Sequence, residues 1–546
     1  MIKKILPIAV MSLFAGLLLP FSGMAQGQSE THRAEVSQAV RADKSQRPLR
    51  DVIDPVNSAV PREGRDFEPG RPQPVGNVNP STIDPLAQRS IGSTAAVVQP
   101  KASTTGVGVD PNARVAPPDT TGDLGPNHYV QWVNSRYAIY TLTRDASNAI
   151  TAFNLVAGFP KNGNAVFAGM NSRCATTNDG DPIVQYDQMA DRWVLTQFVA
   201  GAAPYLQCVA VSTTPDPTGT YNRYEFSYGS YFNDYGKMGV WSDSYTMTFN
   251  MFRNGRSFVG NKVCAYERSQ MLVGAAARQI CAQTSSSYGS LQPADIEGRT
   301  LPAAGTALPL LSISSTSLLS WKFAYDWTAG TGTLTGPTTV AGVAAFSRAC
   351  SGGTCIPQPG TTQQLDSLAD RMMYRLSYRK FTDGHESLLI NHSVANAGAT
   401  AVRWYELRNA AGNTISSATP VVYQQGTYGG DTGDTDYRWM GSAAMDKTGG
   451  IGIGYNVSNS TNINPSVRYA GRGPADPLGA MGGETSLLVG PGVQTGGTLS
   501  RWGDYSTLSV DPVDGCTMVF TTEFIPSNGQ FNWSTYIGSF KLSTCQ

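Results

Sequence analysis

Carboxylates stand where several similar phrases of the chain begin, and they are the first candidates for chemistry. Asp181 lies in "NDGDPIVQY", Asp234 in "NDYGKMG" and Glu386 in "DGHESLL". Two carboxyl groups on either side of a glycosidic bond can serve as a general acid and as a base or nucleophile. Tyr505 in "RWGDYS" offers a phenol that can act as nucleophile or hydrogen-bond donor. The sequence therefore predicts Asp181, Asp234, Glu386 and Tyr505 as catalytic residues.

Arginines begin the later phrases of the chain, at Arg371, Arg438 and Arg501. Convergent guanidinium forks can grip a carboxylate or phosphate in a way that lysine does less well. Trp439 and Trp502 follow two of these arginines and are candidates for stacking on sugar rings. The alternative is structural: the arginines pair with acidic residues that hold neighbouring repeats in register, and the tryptophans pack between repeats. The three arginines and two tryptophans are the predicted substrate-binding set.

Acid-rich loops indicate where a metal ion could bind. The phrase "DTGDTD" clusters Asp431, Asp434 and Asp436, whose oxygens suit Ca²⁺, although the spacing differs from that of an EF-hand. Acid-rich turns also occur without metal. Ca²⁺ is the one cofactor that the sequence suggests.

A repeated phrase predicts the architecture that would bring these distant residues together. "YRWMGSAAMDKTGGIGIGYN" from Tyr437 is echoed by "SRWGDYSTLSVDPVDGCTMVFTTEF" from Ser500. Related phrases begin at Pro117, Asn178, Asn233, Leu308 and Ala369. Units spaced by roughly 50–65 residues, each with alternating strands and tight turns, are typical of propeller blades. We expect an all-β, seven-bladed β-propeller, with six or eight blades also compatible, whose repeat openings converge around one mouth.

These phrases carry a resemblance to known proteins. The chain from about residue 110 to residue 546 resembles the secreted sialidase-like propeller superfamily and, more closely, exported bacterial propellers that carry phrases such as "PPDTTGDLGPNHYVQ" and "RWGDYS". The Asp-box turn and the Phe/Tyr-Arg-Ile-Pro motif of sialidases are absent. The resemblance therefore implies a propeller architecture rather than a particular reaction.

The N-terminal part differs from the rest of the chain in amino-acid composition. Residues 1–25 combine two lysines, an apolar run and a Gly-Met-Ala end, which is typical of a secretory signal peptide. Residues 26–110 are rich in Pro, Arg and Ser without sustained periodicity, so we expect a disordered segment. The propeller domain is then expected over residues 111–546. No later stretch is long and apolar enough to span a membrane.

Composition and cysteine content define the class of protein. Lysine plus arginine equals aspartate plus glutamate at 40 each, which gives no field to attract nucleic acid. Eight cysteines in an exported chain favour disulfides. Pairing between nearest neighbours in sequence is our expectation, with Cys350 bonded to Cys355 and Cys516 bonded to Cys545.

Two functions remain open at this point. The first is an exported glycoside hydrolase or lyase that acts on an acidic glycan, with the arginines holding its carboxylate. The second is a non-catalytic extracellular propeller that binds a protein or polysaccharide. Arginines converging opposite carboxylates would favour the enzyme, and arginines in separate salt bridges would favour the binding protein.

Overall fold

The computed structural model is almost entirely β. It describes residues 29–55, 79–88, 97–98, 102–110, 115–409, 414–415, 418–429 and 434–546. The predicted signal peptide lies outside the described residues. Within the described ranges, helix is confined to short pieces, namely Leu49–Asp51, Gly163–Phe167, Arg173–Thr176, Arg268–Val273 and Ala349–Gly352.

Successive stretches of chain form antiparallel meanders, which we name A to G in chain order. The strands of A are Thr121–Leu124, His128–Val133, Arg136–Arg144 and Ile150–Leu155, with Lys161–Asn162 beside the third. Those of B are Ile183–Asp187, Arg192–Val199, Tyr205–Ser212 and Tyr221–Gly229. Those of C are Tyr231–Val240, Ser244–Arg253, Ser257–Glu267 and Arg278–Gln283. Those of D are Gln292–Glu297, Leu308–Ile313, Leu318–Asp326 and Thr331–Thr339.

The remaining meanders follow the same plan. The strands of E are Leu376–Lys380, Glu386–Asn396, Ala399–Asn409 and Pro420–Tyr428. Those of F are Tyr437–Met445, Ile451–Ser458, Ser466–Arg472 and Thr485–Leu488. Those of G are Thr507–Val510, Met518–Phe524 and Ser534–Leu542. A small hairpin, Thr354–Ile356 with Leu365–Asp366, lies between D and E in the chain.

The first strands of the meanders form a closed ring. Each contacts the first strand of the next meander, and the first strand of G returns to that of A. Between D and E this contact becomes a parallel pairing, from Ala294 opposite Leu376 to Glu297 opposite Arg379. Meanders that radiate from a ring of inner strands are the arrangement of a β-propeller. We call the N-terminal ends of the inner strands the upper mouth and their C-terminal ends the lower mouth.

Large aromatic residues fill the spaces between meanders. Seven tryptophans are fully buried among the described residues, namely Trp132, Trp193, Trp241, Trp321, Trp404, Trp439 and Trp502. Strands that are covered on both faces bury nearly every side chain, which explains why their sequences are apolar or small without strict alternation. The core is therefore spread around the ring as layers between sheets.

One predicted repeat is out of phase with the structure. The phrase that begins at Leu308 supplies the second and third strands of D, whereas the inner strand of D is Gln292–Glu297. The apolar residues of the Leu308 phrase make it resemble the start of a unit. The inner strand reads "QPADIE", with two acids and a proline, and it gives a weaker strand signal than its neighbours.

The segment at residues 26–110, predicted to be disordered, contains strands in its described parts. Glu30–Arg33, Glu35–Gln38 and Arg41–Lys44 extend the outer edges of D, C and B in turn. An edge strand of an existing sheet supplies unpaired backbone groups, so an added strand needs no apolar pattern of its own. The prediction of disorder was wrong for these residues because it considered only the composition of their side chains and not the backbone hydrogen bonds that a neighbouring sheet can supply.

The chain closes the ring with residues from both ends. Ser103–Thr105 pairs antiparallel with the last strand of G, with Ser103 opposite Gly538 and Thr105 opposite Tyr536. Meander G therefore takes its fourth strand from the N-terminal side of the chain. Gln131 of A ties the same segment by accepting from Val107 N at 2.8 Å and donating to Thr535 Oγ1 at 2.9 Å.

All eight cysteines form disulfides between nearest neighbours in sequence, as expected. The pairs are Cys174–Cys208, Cys264–Cys281, Cys350–Cys355 and Cys516–Cys545. Disulfides are typical of oxidising compartments such as the periplasm or the extracellular space. No helix among the described residues is long and apolar enough to cross a membrane.

Candidate functional site

Left-handed residues recur in or before the inner strands of the meanders. Positive φ angles of 44–55° occur at Asp119, Asp181, Tyr235, Ser290, Leu368, Met440 and Asp504. Three of these residues stand two positions before an inner strand, and Tyr235 and Met440 lie in strand irregularities. Non-glycine residues rarely adopt this conformation, and it concentrates at functional or tightly determined positions. The repeat therefore places an unusual turn near the start of the inner strand in six of the meanders, whereas Leu368 lies eight residues before the inner strand of E.

Three of these turns bring together the centre of the candidate site. Tyr505 donates its hydroxyl proton to Asp181 Oδ2 at 2.8 Å. Lys237, which is fully buried, lies with Nζ 3.7 Å from the Tyr505 ring centre and 3.1 Å from that of Tyr235. The amine also donates to the Gly236 carbonyl at 3.2 Å. Residues from B, C and G thus meet at one point of the upper mouth.

Asp119 and Asp504 complete the cluster from meanders A and G. The Asp119 amide donates to the Gly503 carbonyl at 3.0 Å, and the Gly503 amide donates to Glu523 Oε2 at 2.7 Å. Arg501 forms an ion pair with the carboxylate of Asp504. The loop that carries Arg501 and Asp504 is therefore fixed to the opening of A by one backbone hydrogen bond and to the second strand of G by another bond to Glu523.

Burial shifts the pKa values of the cluster in opposite directions. Burial raises the pKa of Asp119 well above its usual range, and the nearby carboxylates of Asp181 and Asp504 add to the effect. Burial also raises the pKa of Asp181, against the attraction of Lys237. The pKa of Lys237 falls well below its usual value because of burial, aided by the charge of Arg371. The cluster thus favours protonated carboxyls and an uncharged amine, which are the forms that donate and accept protons.

Two of the three predicted arginines belong to this cluster. The Arg371 guanidinium stacks 4.3 Å from the Tyr235 ring centre and pairs with Asp370 at 2.9 Å. Arg501 acts electrostatically on Asp119 and Asp181, and its side chain retains 18 % exposure. Arg501 is therefore the more accessible of the two for a ligand.

Arg438 lies apart from them, in a separate network of salt bridges. It pairs with Glu484 at 2.9 Å and with Asp434 at 3.0 Å, and Glu484 also holds Arg468 at 2.5 Å. Tyr455 donates to the same Glu484 at 2.7 Å. The predicted trio of arginines is split, because Glu484, far along the chain, neutralises Arg438 on meander F.

The two tryptophans predicted to stack on sugar rings lie in the interior of the protein. Trp439 and Trp502 are fully buried, with ring centres 5.6 Å apart. The Trp502 indole donates to Asn456 Oδ1 at 3.3 Å. Neither ring presents a face to a ligand, so the substrate-binding prediction was wrong for both. Their role is packing between F and G, the structural alternative.

The other two predicted catalytic acids are both buried in strands. Asp234 is buried in the inner strand of C, next to Tyr235 and opposite Asn250. Glu386 is buried at the start of the second strand of E, where it accepts from the Ile415 amide at 2.7 Å and faces Lys380 at 3.8 Å. Glu386 therefore belongs to the packing of meander E.

The predicted calcium loop holds arginine instead. Asp434 and Asp436 both lie within ion-pair distance of Arg438, and Asp436 also faces Arg468 at 3.8 Å. Asp431 lies outside the described residues. Across the part of the chain that the structure describes, no group of three His, Cys, Asp or Glu side chains is arranged to hold a metal ion.

A second polar layer lies below the cluster, midway along the inner strands. Arg375 of E pairs with Asp295 of D at 2.7 Å, faces Asp123 of A at 3.7 Å and pairs with Glu297. Asp123 also accepts from the Tyr186 amide at 2.8 Å. Burial raises the pKa of Asp295 to about 6.

A tyrosine completes this layer, which we call the axial plug. Gln185 of B donates to the hydroxyl of Tyr374, and that hydroxyl donates to the Met238 carbonyl at 3.1 Å. Gln185, Tyr374 and Arg375 are all buried. Side chains from A, B, D and E therefore meet within the ring, between the N-terminal and C-terminal ends of the inner strands.

Sequence reasoning placed Asp181 and Tyr505 in the site but overlooked Lys237 and Asp504. The notable signal for Lys237 is its position in "DYGKMGV", where a lysine follows a repeat opening within small and apolar residues. Asp504 lies within the repeated phrase itself, two residues after Trp502. Aligning the repeats on the residue with positive φ would have identified Lys237 and Asp504.

Comparison with known proteins adds little to this geometry. No protein-family model matches the chain, and no curated protein matches its sequence. Similar solved structures include an α-L-arabinofuranosidase from Fusarium graminearum (8 % identity, 81 % of this chain and 98 % of that chain, TM-score 0.35). Also similar is an α-L-arabinanase from Penicillium chrysogenum (9 % identity, 81 % of this chain and 99 % of that chain, TM-score 0.33). A third similar structure is a Dyadobacter fermentans protein of unknown function (9 % identity, 66 % of this chain and 94 % of that chain, TM-score 0.33). At such identities and TM-scores, these likenesses assign neither a blade number nor an activity.

Proposed function

We propose that this protein is an exported, seven-bladed β-propeller that cleaves an acidic glycan at the upper mouth. Each of the meanders A to G is one blade, and residues 1–25 direct the chain out of the cytoplasm. The observation that carries the proposal is the meeting of Asp119, Asp181, Lys237 and Tyr505 at one point, from four different meanders. Structural salt bridges alone do not need an amine and two carboxyls with pKa values shifted toward their uncharged forms.

The roles follow from exposure and protonation. Asp181 is half-buried, and its raised pKa suits a proton donor to the leaving oxygen, while the hydrogen bond from Tyr505 orients its carboxyl group. Asp504, held by Arg501, supplies the opposing carboxylate. Arg501 is the group placed to receive the carboxylate of a uronate or sialate unit. Lys237 lies beneath them and modulates both acids.

Turnover assays test the proposal directly. The wild type is incubated with polyuronates, sialylated glycans and neutral arabinan, and new reducing ends are measured. Ultraviolet absorbance of an unsaturated product distinguishes elimination from hydrolysis. We expect cleavage of an acidic glycan, with kcat lower by at least about a hundredfold in Asp181→Asn. Arg501→Ala should raise KM chiefly, whereas the exposed control Arg256→Ala should behave as wild type.

A second candidate function is non-catalytic binding. The separate salt bridges of Arg438 favour it, because they show that at least one repeat opening serves blade packing alone. In that case the acidic glycans would raise the melting temperature of the wild type without any turnover. Absence of both cleavage and a thermal shift would contradict both functions.

A further inference from the structure

The lower mouth contains a cavity that the proposed reaction does not use. It has a volume of about 330 Å³ and lies at the C-terminal ends of the inner strands of five meanders. Four of the inner strands are followed by lining residues: Gln188 after that of B, Gly298 and Arg299 after that of D, Lys447 after that of F, and Asp511 after that of G. Arg379 lies near the end of the inner strand of E. Along the inner strands, the axial plug lies between this cavity and the Asp181 cluster.

Arg379 forms the floor of this cavity and is only partly neutralised. It is 7 % exposed, and its Nε has no hydrogen-bond partner among the described residues. Its nearest acid is Glu297, at 3.7 Å, and Glu297 is already engaged by Arg375 and by the Ser377 hydroxyl at 2.9 Å. Burying a guanidinium whose N–H groups lack acceptors costs folding free energy unless an anion pairs with it.

The surrounding charges favour an anion. Arg299 and Lys447 are exposed at the rim and form no ion pair with any described residue. Two acids also line the cavity, but each has its own cation. Asp511 accepts from Arg144 Nη2 at 3.0 Å, and Asp514 faces Lys541 at 3.5 Å.

Another acid lies near Arg379. Asp446 is buried and attracts the guanidinium, but its Oδ1 accepts three hydrogen bonds from its own turn, from the Thr448 amide and hydroxyl and from the Gly450 amide. Burial raises the pKa of Asp446, which favours its uncharged form. Burial likewise lowers the pKa of Arg379 to about 10, so the guanidinium remains charged at neutral pH. The guanidinium of Arg379 is thus charged at neutral pH, while one oxygen of Asp446 is occupied by hydrogen bonds from its own turn.

The backbone leaves room for the guanidinium. Gly298 has a φ of 86°, and a Cβ at this position would lie 2.7 Å from Arg379 Nη1. Glycine is therefore required both by its conformation and by the approach of the arginine. The site is built by several elements rather than by chance contacts of surface lysines.

We propose that the lower mouth binds a tetrahedral oxyanion, a phosphate or sulfate group, between Arg379, Arg299 and Lys447. The planar fork of Arg379 makes paired hydrogen bonds to two oxygens, and the two rim cations meet the remaining charge. The group can belong to a free inorganic ion or to a sulfated or phosphorylated sugar, for which a cavity of this volume has room.

Calorimetric titration of the full chain tests the proposal. Sodium phosphate, sodium sulfate, a sulfated monosaccharide and a phosphorylated monosaccharide are each titrated at constant ionic strength set with chloride. We expect saturable binding of at least one of them, and tighter binding of a sugar ester than of the free ion would identify the sugar as the source. Lack of saturable binding by all four ligands would overturn the proposal.

Variants locate the binding within the fold. Arg299→Ala/Lys447→Ala removes two exposed charges and should weaken binding by at least about tenfold. Arg253→Ala/Arg256→Ala removes the same charge from an exposed turn of meander C and should bind as wild type. Equal weakening in both double variants would show a general charge effect and would contradict the site. Asp181→Asn should bind as wild type, so failure of glycan cleavage and failure of this site are separately visible.

Discussion

Single carboxyl groups inside the ring make the stability of this protein sensitive to pH. Asp295 is 1 % exposed, pairs with Arg375 and accepts from the Val240 amide at 2.8 Å. Burial is the largest cause of its raised pKa, ahead of the opposing charge of Arg375. A carboxyl whose pKa is higher in the folded state binds more protons when folded, so its contribution to stability decreases as pH rises.

The corresponding prediction concerns Asp295→Asn. The pKa of Asp295 is raised from 3.8 to about 6 in the folded protein, so its stabilising contribution is fully present below pH 4 and is lost as pH rises to about 6. The loss is at most about 3 kcal/mol of unfolding free energy. The variant should therefore lose less stability than wild type between pH 4 and pH 6, as measured by urea unfolding. Asp326→Asn in an exposed turn is the control, and parallel pH profiles for wild type and Asp295→Asn would refute the prediction.

At the scale of single elements, glycines decide how closely two blades approach. Gly454, in the second strand of F, faces Phe520 of G, and a Cβ there would lie 2.4–2.6 Å from the ring. A Cβ added at Gly452 would likewise lie 2.3 Å from Met518 Sδ. The "GGIGIGYN" phrase is thus a packing surface between two sheets, and it crowds its neighbour rather than the central channel.

We predict that Gly454→Ala lowers the unfolding free energy by about 1–3 kcal/mol, because the added methyl group overpacks a rigid ring. Chemical denaturation gives this value. Gly529→Ala is a suitable control, since its new Cβ would lie no closer than 3.3 Å to another residue. Stability equal to wild type for Gly454→Ala would mean that F and G can separate freely.

At the scale of the whole molecule, the N-terminal segment serves two different purposes. Its early strands cover the outer edges of D, C and B, whereas Ser103–Thr105 closes the ring at G. Outer edges affect self-association, since unpaired strands can template contacts between molecules. Ring closure affects every interface between blades.

Truncation should separate these purposes. Compared with a chain that begins at residue 29, a chain that begins at residue 45 should melt a few degrees lower and self-associate more readily. A chain that begins at residue 111 should melt lower still, because G loses its fourth strand. Thermal melting with light scattering measures both effects. Equal melting of the last two chains would show that Ser103–Thr105 has no part in closure.

The sequence predicted this architecture better than the partners of its side chains. The repeated phrase placed Asp181 and Tyr505 at one mouth because openings of equivalent units converge by symmetry. It could not separate Arg438 from Arg501, since the two share a phrase and differ only through Glu484, a partner distant in sequence. Polar strands such as Glu35–Gln38 escaped notice because their pairing depends on the neighbouring sheet rather than on their own pattern.

The axial plug also bears on how this protein tolerates change. Arg375, Asp123, Asp295 and Tyr374 lie along the inner strands between the two mouths, which separates the residues of one mouth from those of the other. Substitutions that are well separated and have no common partner usually have additive effects. Changes around Arg501 and changes around Arg299 should therefore combine without mutual interference, which would let the two faces of this propeller diverge, or be redesigned, independently.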